Sequence, residues 1–254
     1  MARRFSYLAA LLTLILATAS AAPCSAISKE FNQTYPLQPG GTFELQNVNG
    51  TVDVQTWDRD EVEVRAVKTA KHQESDLALV SIDVDAKPEA VSVTTRYPQN
   101  EGVDVAVEYV VHVPRCAHVE HLGTVNGSLR VAGVSAVEDL RTVNGNIDVY
   151  ESGGAVHAHT TNGNVHLELL HMQLKNGAIA ETTNGSVLLA IPAGTQADLE
   201  ARCLNGSFYS ELPLSLQSSQ RPRETRGRLG KGGMPIHLNT INGGIRVIAL
   251  RSTV

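Results

Sequence analysis

The sequence contains few cysteines and few aromatic residues. Its 254 residues include 3 cysteines, 4 phenylalanines, 1 tryptophan and 6 tyrosines. Small secreted domains that depend on disulfides are dense in cysteine. Cys116 and Cys203 stand several repeats apart, so we expect no disulfide between them. With so few aromatic side chains, we expect a core of valine, leucine, isoleucine and alanine.

The sequence also lacks the short motifs that identify common enzyme and metal sites. It has no Cys-x-x-Cys or His-Glu-x-x-His pattern, no Gly-x-Ser-x-Gly elbow, no phosphate-binding glycine loop and no calcium-binding nonapeptide repeat. We therefore expect no cofactor. The formal net charge of −5 gives no reason to expect a nucleic-acid partner.

One long apolar run is present, at residues 8–19, directly after Arg3 and Arg4. A basic start, a short apolar run and small residues behind it are typical of an export signal. The run is too short to span a membrane, which takes about 20 apolar residues. We expect residues 1–26 to be a signal peptide, and the mature chain to be extracytoplasmic without a membrane span. A lipid anchor at Cys24 is the alternative, which Pro23 disfavours.

A repeated pattern, in most copies Thr-x-Asn-Gly, is the main positive feature of the sequence. Between most copies the spacing is 18 to 22 residues, and alternating apolar and polar residues flank each one. A fixed period near 20 residues with strand-like alternation indicates a repetitive β-architecture. The repeated asparagines are Asn49, Asn126, Asn144, Asn162, Asn184, Asn205 and Asn242.

Two architectures fit this pattern. Asn-Gly suits a tight type I′ hairpin, which would give an antiparallel meander. A β-solenoid explains more, because stacking places identical corner residues on top of one another. Stacked asparagine amides and inward threonine hydroxyls can then hydrogen-bond along the axis, and glycine supplies a positive φ at the corner. The repeated register therefore favours the solenoid.

The chain divides into three parts on this interpretation. Residues 1–26 are the signal peptide, and residues 27–115 form an N-terminal β-section that caps the solenoid. Residues 116–254 form the solenoid repeats, giving about six two-strand coils in an all-β fold. A glycine- and proline-rich segment at 213–234 interrupts them as a basic loop before the final coil. Its cations are Arg221, Arg223, Arg226, Arg228 and Lys231.

These features together resemble the bacterial "putative adhesin" domain family. The resemblance rests on the export signal, the early Asn-Gly and Trp-Asp, the Val-x-Val-Pro transition, the serial Thr-x-Asn-Gly corners and the glycine-rich stretch before the last corner. It covers roughly residues 40–250 and implies an extracytoplasmic β-solenoid whose molecular role is mostly undefined. The family implies no catalytic residues that could be assigned here. Cys203-Leu204 and the arginine-rich segment depart from the family pattern.

Stacking brings a histidine-containing column together on the outward face. Five residues before the repeated asparagine, His121, Asp139 and His157 would follow one another at about 4.8 Å. Imidazole and carboxylate groups at this spacing can bind zinc or another divalent ion. The alternative is a surface ladder in which Asp139 lies between two imidazoles. The absence of a metal motif favours the ladder.

Several functions remain open at this point. The five cations of 213–234 are candidates for binding anionic groups of envelope polymers, although a solvated insertion is the simpler explanation. The leading hypothesis is a non-enzymatic surface binding module that contacts an envelope polymer or a surface protein. One alternative is an envelope scaffold or stress-response component that binds a protein through a free edge strand at 245–248. The other is a β-helix glycan lyase or hydrolase using Asp148 and Glu168.

Overall fold

A computed structural model describes residues 27–99, 102–172, 177–217 and 222–250. The first half contains β1 (Ile27–Pro36), β2 (Thr42–Gln46), β3 (Val52–Trp57), β4 (Glu61–Ala70), α1 (Asp76–Leu79), β5 (Ser81–Lys87), β6 (Ala90–Arg96), β7 (Val105–Pro114), β8 (His118–Gly123), β9 (Leu129–Ala132) and β10 (Ala136–Arg141). The second half contains β11 (Ile147–Gly154), β12 (Val156–Asn162), β13 (Val165–Met172), β14 (Ala178–Asn184), β15 (Val187–Ile191), β16 (Ala197–Asn205), β17 (Phe208–Ser210), β18 (Leu214–Gln217), β19 (Glu224–Leu229), β20 (Met234–Asn242) and β21 (Ile245–Ala249).

The strands form two sheets that enclose one hydrophobic core. Sheet A has the order β1-β4-β7-β3-β9-β11-β13-β15-β21-β17, and sheet B has the order β18-β19-β16-β20-β14-β12-β10-β8-β2-β6-β5. Inward side chains alternate with outward ones along most strands, as period-two patterning requires. The core is largely valine, leucine, isoleucine and alanine, and Tyr109 and Phe43 are its largest fully buried side chains. Cys116 and Cys203 are free thiols.

Each coil of the fold contributes one strand to each sheet. Neighbouring coils pair in parallel and in register, so that Leu140 lies beside Ala158 and Ile147 beside Val165. This pairing confirms the predicted β-solenoid and excludes the antiparallel meander. Within the described residues the stacked strand pairs are, in spatial order, β6/β7, β2/β3, β8/β9, β10/β11, β12/β13, β14/β15, β20/β21 and β16/β17.

The order of coils along the axis differs from their order along the chain at both ends. At the N-terminal end, β6/β7 stacks outside β2/β3, and antiparallel β4 and β5 cover its two strands. The N-terminal section therefore closes the solenoid and also supplies two coils. At the C-terminal end, β20/β21 lies between β14/β15 and β16/β17. Ile245 pairs with Val187 on one side and Phe208 on the other. The prediction of a free edge strand at 245–248 was therefore wrong.

The segment 213–234 is not a loop throughout, contrary to expectation. β18 and β19 form an antiparallel pair, and β19 continues sheet B along β16. Gly227 and Leu229 of β19 are buried whereas Arg226 and Arg228 are exposed. This alternation is a strand pattern with a polar outer face. The glycines and prolines on either side obscured it in the sequence.

The corner residues form continuous hydrogen-bonded ladders along the axis. The threonines of the repeat are buried, and Thr160 Oγ1 donates to the carbonyl oxygen of Gly145 in the previous coil at 2.9 Å. The asparagine amides lie on the surface. Along the stack, the Nδ2 of each asparagine donates at 2.8 Å to the Oδ1 of the asparagine in the next coil, and Asn49 accepts the last of these bonds. The spatial order of the ladder is Asn205, Asn242, Asn184, Asn162, Asn144, Asn126 and Asn49.

Close approach of the backbones, rather than a positive φ, explains most of the corner glycines. A Cβ atom on Gly163 would lie 1.9 Å from the carbonyl oxygen of Gly145, and one on Gly145 would lie 2.0 Å from that of Gly127. These three glycines do not have a positive φ, whereas Gly50, at the first corner, has a φ of 122°. Glycine is therefore needed so that adjacent coils can stack at strand spacing.

Candidate functional site

A row of polar side chains crosses the outer face of sheet B. The parallel register places Asp139 between His121 and His157, as the sequence pattern predicts. The same register continues the row through the later coils. We call these aligned residues the histidine row: His121, Asp139, His157, Ile179, His237 and Glu200.

Asp139 is the centre of the N-terminal half of the row. Its Oδ2 lies 2.9 Å from His121 Nδ1 and its Oδ1 lies 3.6 Å from His157 Nδ1. Arg141 Nε also donates to both carboxylate oxygens, at 2.9 and 2.8 Å. Partial burial raises the pKa of Asp139, but the hydrogen bonds from Arg141 and His121 outweigh this and leave the pKa below its usual value. Asp139 is therefore a carboxylate at neutral pH.

Further polar contacts continue from this centre in one direction, through β12, β14, β20 and β16 toward β19. Glu181 Oε2 lies 4.0 Å from His157 Nε2 and 3.4 Å from His159 Nδ1. Beyond the apolar Ile179, Glu200 Oε2 lies 3.8 Å from His237 Nδ1 and 3.2 Å from Arg226 Nη2. The outer face of sheet B thus presents carboxylates that alternate with imidazole and guanidinium groups across most of its strands.

The row has the chemistry of a polar surface rather than that of a metal centre. The Arg141 guanidinium lies on both oxygens of Asp139, and a cation placed there would be repelled by it. In the part of the chain that the structure describes, no group of three or more His, Cys, Asp or Glu residues is arranged to hold a metal ion. What the row offers is a rigid array of hydrogen-bond donors and acceptors.

The structure places two of the five basic candidates of 213–234, Arg226 and Arg228, in local ion pairs. Arg226 Nε pairs with Glu224 at 2.5 Å, in addition to its contact with Glu200, and Arg228 Nε lies 3.2 Å from Asp198 Oδ1. Lys231 is exposed and makes no ion pair with another described residue. Arg221 lies outside the described residues, as do residues 1–26 with Cys24.

Arg223 has a different position from the other cations. Its Nη1 donates to the carbonyl oxygen of Leu204 and to Asn205 Oδ1, the latter at 3.3 Å. Asn205 is the last member of the asparagine ladder, and within the described residues no further coil donates a hydrogen bond to its Oδ1. Arg223 therefore caps the ladder through this hydrogen bond. Its backbone has a φ of 63°. The sequence held no signal for this role, because it depends on which coil lies at the end of the stack.

The outer face of sheet A has its own, smaller cluster. Arg130, Asp148 and His166 are aligned by the register. The ring of Tyr150 lies between Arg130 and His166, at 5.2 Å from the guanidinium carbon and 5.1 Å from the imidazole centroid. His166 Nε2 in turn lies 3.2 Å from Glu168 Oε1. Glu168 therefore has an imidazole partner on its own strand.

A cluster of three carboxyl groups, Glu44, Glu120 and Glu138, occurs on sheet B. Partial burial, together with the nearby charges of Glu44 and Glu138, raises the pKa of Glu120. Glu120 is an extra residue in β8, where the register with β2 shifts. Sequence reasoning missed this cluster because period-two alternation does not reveal a bulge.

Comparisons with known proteins find similar solved structures but no matching curated protein. Among solved structures, a putative cell adhesion protein from Clostridium sporogenes is 11% identical, covers 87% of this chain and 100% of its own, and has a TM-score of 0.49. A putative adhesin from Bacteroides fragilis is 12% identical, covers 87% of this chain and 97% of its own, and has a TM-score of 0.45. None of the described helices is long and apolar enough to cross a membrane.

The family itself is defined by a match to most of the chain. The model of the family described as Toastrack DUF4097 matches residues 33–247. This match covers both the N-terminal section and the repeats, and it confirms the predicted resemblance to an adhesin-like domain family. The chain belongs to the Toastrack DUF4097 family.

Proposed function

We propose that the protein is a non-enzymatic, extracytoplasmic binding module that holds a repetitive envelope polymer on the outer face of sheet B. The observation that carries this proposal is the in-register parallel stacking of the histidine row. Stacking repeats polar groups at about 4.8 Å along a straight axis. A polymer that repeats along its own axis can meet many such groups at once.

The energetics favour a multivalent surface over a single pocket. One exposed ion pair or hydrogen bond contributes only about 0–1 kcal/mol. Several such contacts on one rigid surface act together, because the later contacts form at a high effective concentration. The asparagine and threonine ladders fix the coils relative to one another, so little conformational entropy is lost when a ligand binds.

The charge pattern indicates what kind of polymer fits. Asp139, Glu181 and Glu200 accept hydrogen bonds, whereas Arg141 and Arg226 donate them. A ligand hydroxyl group can donate to such a carboxylate and accept from such a guanidinium. A ligand carboxylate or phosphate can replace the protein's own carboxylate as the partner of an arginine. We therefore expect a hydroxyl-rich polymer that carries acidic groups, bound in a salt-sensitive manner.

The extracytoplasmic location and the absence of catalysis belong to the same proposal. The location rests on the sequence pattern of residues 1–26, which precedes the described fold. The non-enzymatic role rests on the environment of the carboxylates. A glycosidase needs two carboxyl groups that flank the scissile bond, and on sheet A Glu168 contacts the His166 imidazole on its own strand.

Co-sedimentation with isolated bacterial envelopes and their purified polymers tests the proposal. We expect saturable pelleting that weakens as salt is raised. A triple variant, H157Q/H159Q/E181Q, removes two imidazoles and one carboxylate from one part of the surface and should bind roughly tenfold more weakly. H166Q/E168Q makes similar changes on sheet A and serves as the matched control. Failure of the wild-type protein to pellet with any fraction would refute polymer binding.

A further inference from the structure

The open edges of the two sheets differ greatly in length. Within the described residues, four strands have a neighbour on one side only: β1 and β17 in sheet A, and β5 and β18 in sheet B. β17 and β18 have 3 and 4 residues. β5 has 7 residues, among them Asp83, Asp85 and Lys87. Short length and charge are the usual protections of an edge strand against pairing with another chain.

β1 has much less of this protection. It is 10 residues long and pairs with β4 over its whole length without a bulge. Its charged residues are Lys29 and Glu30, and Pro36 stands only at its last position. Every second residue of an edge strand points its backbone N–H and C=O away from the sheet. β1 therefore presents a straight row of hydrogen-bonding groups to an incoming strand.

The side chains of β1 lie in two distinct sets. Ile27, Phe31 and Tyr35 are half-buried and pack against the core. The alternate residues Ser28, Glu30, Asn32 and Thr34 are exposed on the opposite face. Lys29 and Gln33 alternate with the apolar residues on the same face and are exposed. A strand that extends the sheet must place apolar side chains beside Ile27, Phe31 and Tyr35, and polar ones at the other positions.

We propose that β1 pairs antiparallel with β1 of a second copy of this chain, about a two-fold axis at Phe31. In this register Ile27 lies opposite Tyr35 of the second copy, and Phe31 lies opposite its equivalent. Lys29 lies opposite Gln33, and Glu30 opposite Asn32, so no like charges face each other. Such self-complementarity is what a two-fold interface requires.

A neighbouring register is less favourable. Moving the axis by one residue, to Glu30, places the two Glu30 carboxylates directly opposite each other, and like charges in that position are destabilising. It also leaves Tyr35 without an apolar partner in the facing strand. The pattern of β1 thus favours an axis at Phe31 over an axis at Glu30. The dimer would join two sheets A into a single continuous sheet and carry two sheet B surfaces in one particle.

A charge-reversal pair at Asn32 tests this register in the full-length protein. N32K places a lysine opposite Glu30 of the other copy twice, and N32E places a glutamate there twice. Sedimentation equilibrium should show a dimer for the wild type. We expect its Kd to be roughly 2- to 30-fold lower for N32K and higher for N32E by a similar factor.

The design separates dimerisation from folding. Within one copy Asn32 lies opposite Arg65, so N32K adds a like-charge pair in the monomer while N32E adds an attractive one. A tighter N32K dimer therefore cannot result from a more stable monomer. S81K and S81E, on the edge strand β5, are controls that should leave the Kd unchanged. A monomeric wild type, or a dimer that responds to Ser81 and not to Asn32, would overturn the proposal.

Discussion

At the scale of single residues, each position of the repeated corner has its own physical task. The buried threonine donates to a carbonyl of the neighbouring coil, and the surface asparagine links its amide to the next asparagine. The glycine leaves space for the backbone of the preceding coil. All three residues contact the same neighbouring coil, so a change in one of them disturbs the hydrogen bonds or packing that the other two make with that coil.

Gly163→Ala should be among the most destabilising single changes in the chain. The new Cβ would lie 1.9 Å from the Gly145 carbonyl oxygen, so the coils would have to separate and lose hydrogen bonds. We expect a loss of at least about 2 kcal/mol in the free energy of unfolding, measured by urea denaturation. Gly194→Ala is the control, because a Cβ there meets nothing within 4 Å. Equal effects of the two changes would contradict the close-approach explanation.

Asn144→Ala should break the surface ladder at its middle. Asn144 donates to Asn126 and accepts from Asn162, both at 2.8 Å. Loss of two exposed hydrogen bonds should cost about 1–2 kcal/mol in unfolding free energy. The neighbouring Val143→Thr, which introduces the residue found at 161 and 183, should have a much smaller effect. An unchanged melting temperature for Asn144→Ala would mean that the ladder contributes nothing to stability.

Glu120→Gln should stabilise the protein at neutral pH. The folded-state pKa of Glu120 is raised by burial and by Glu44 and Glu138, so its charged form is less favourable in the folded chain than in the unfolded chain. Removing that charge should raise stability at pH 7 by about 0.5 kcal/mol. As the pH falls to about 3, below the pKa of an unfolded glutamate, both states of the wild type become protonated and the gain should disappear. Thermal melts across this pH range measure the gain, and a gain that persists at about pH 3 would contradict the cause.

At the scale of elements, β19 extends sheet B beyond β16, the outermost strand of the stacked coils at the C-terminal end of that sheet. Its arginines Arg226 and Arg228 form ion pairs with acidic residues at this end of the sheet. Glu224 has a fully buried side chain and contacts Arg226, whereas Asp198, the partner of Arg228, is 51% exposed. Asp198 also accepts a hydrogen bond from the backbone N–H of Gly233. The two arginines therefore differ in how much the fold depends on them.

Arg226→Ala should lower the melting temperature more than Arg228→Ala. Removing Arg226 takes an ionic partner from a buried carboxylate, which is unfavourable, while water can solvate Asp198 after Arg228 is removed. Differential scanning calorimetry of the two variants at pH 7 compares them directly. A larger loss for Arg228→Ala would show that β19 is anchored elsewhere.

At the scale of the whole molecule, the stacking order of the coils has a direct chemical test. In a background with Cys116→Ala and Cys203→Thr, cysteines at 205 and 242 should form a disulfide, because adjacent parallel strands bring their Cα atoms within bonding range. Cysteines at 184 and 242 should do the same. Cysteines at 184 and 205 should not, since the coil of Asn242 lies between them. A disulfide between 184 and 205 would contradict the inserted coil.

The sequence showed which residues of the repeated corners stack on one another, but it did not show the order of the coils along the axis. Identical corners at a regular period predicted the solenoid, the inward threonines and the alignment of His121, Asp139 and His157. The position of the Asn242 coil could not be predicted, because every Asn-Gly corner can stack on every other. For the same reason the cap formed by Arg223 was not foreseeable. The β19 strand was missed because glycine and proline around it outweighed a short alternation.

The most direct test of the proposed function is oxidative footprinting of the protein while it is bound to bacterial envelopes. Binding through the outer face of sheet B should protect His121, His157, His159 and His237 from oxidation. Tyr150 and His166, on the outer face of sheet A, should remain as reactive as in the free protein. Protection of Tyr150 and His166 with no change at the histidine row would contradict the proposed binding surface.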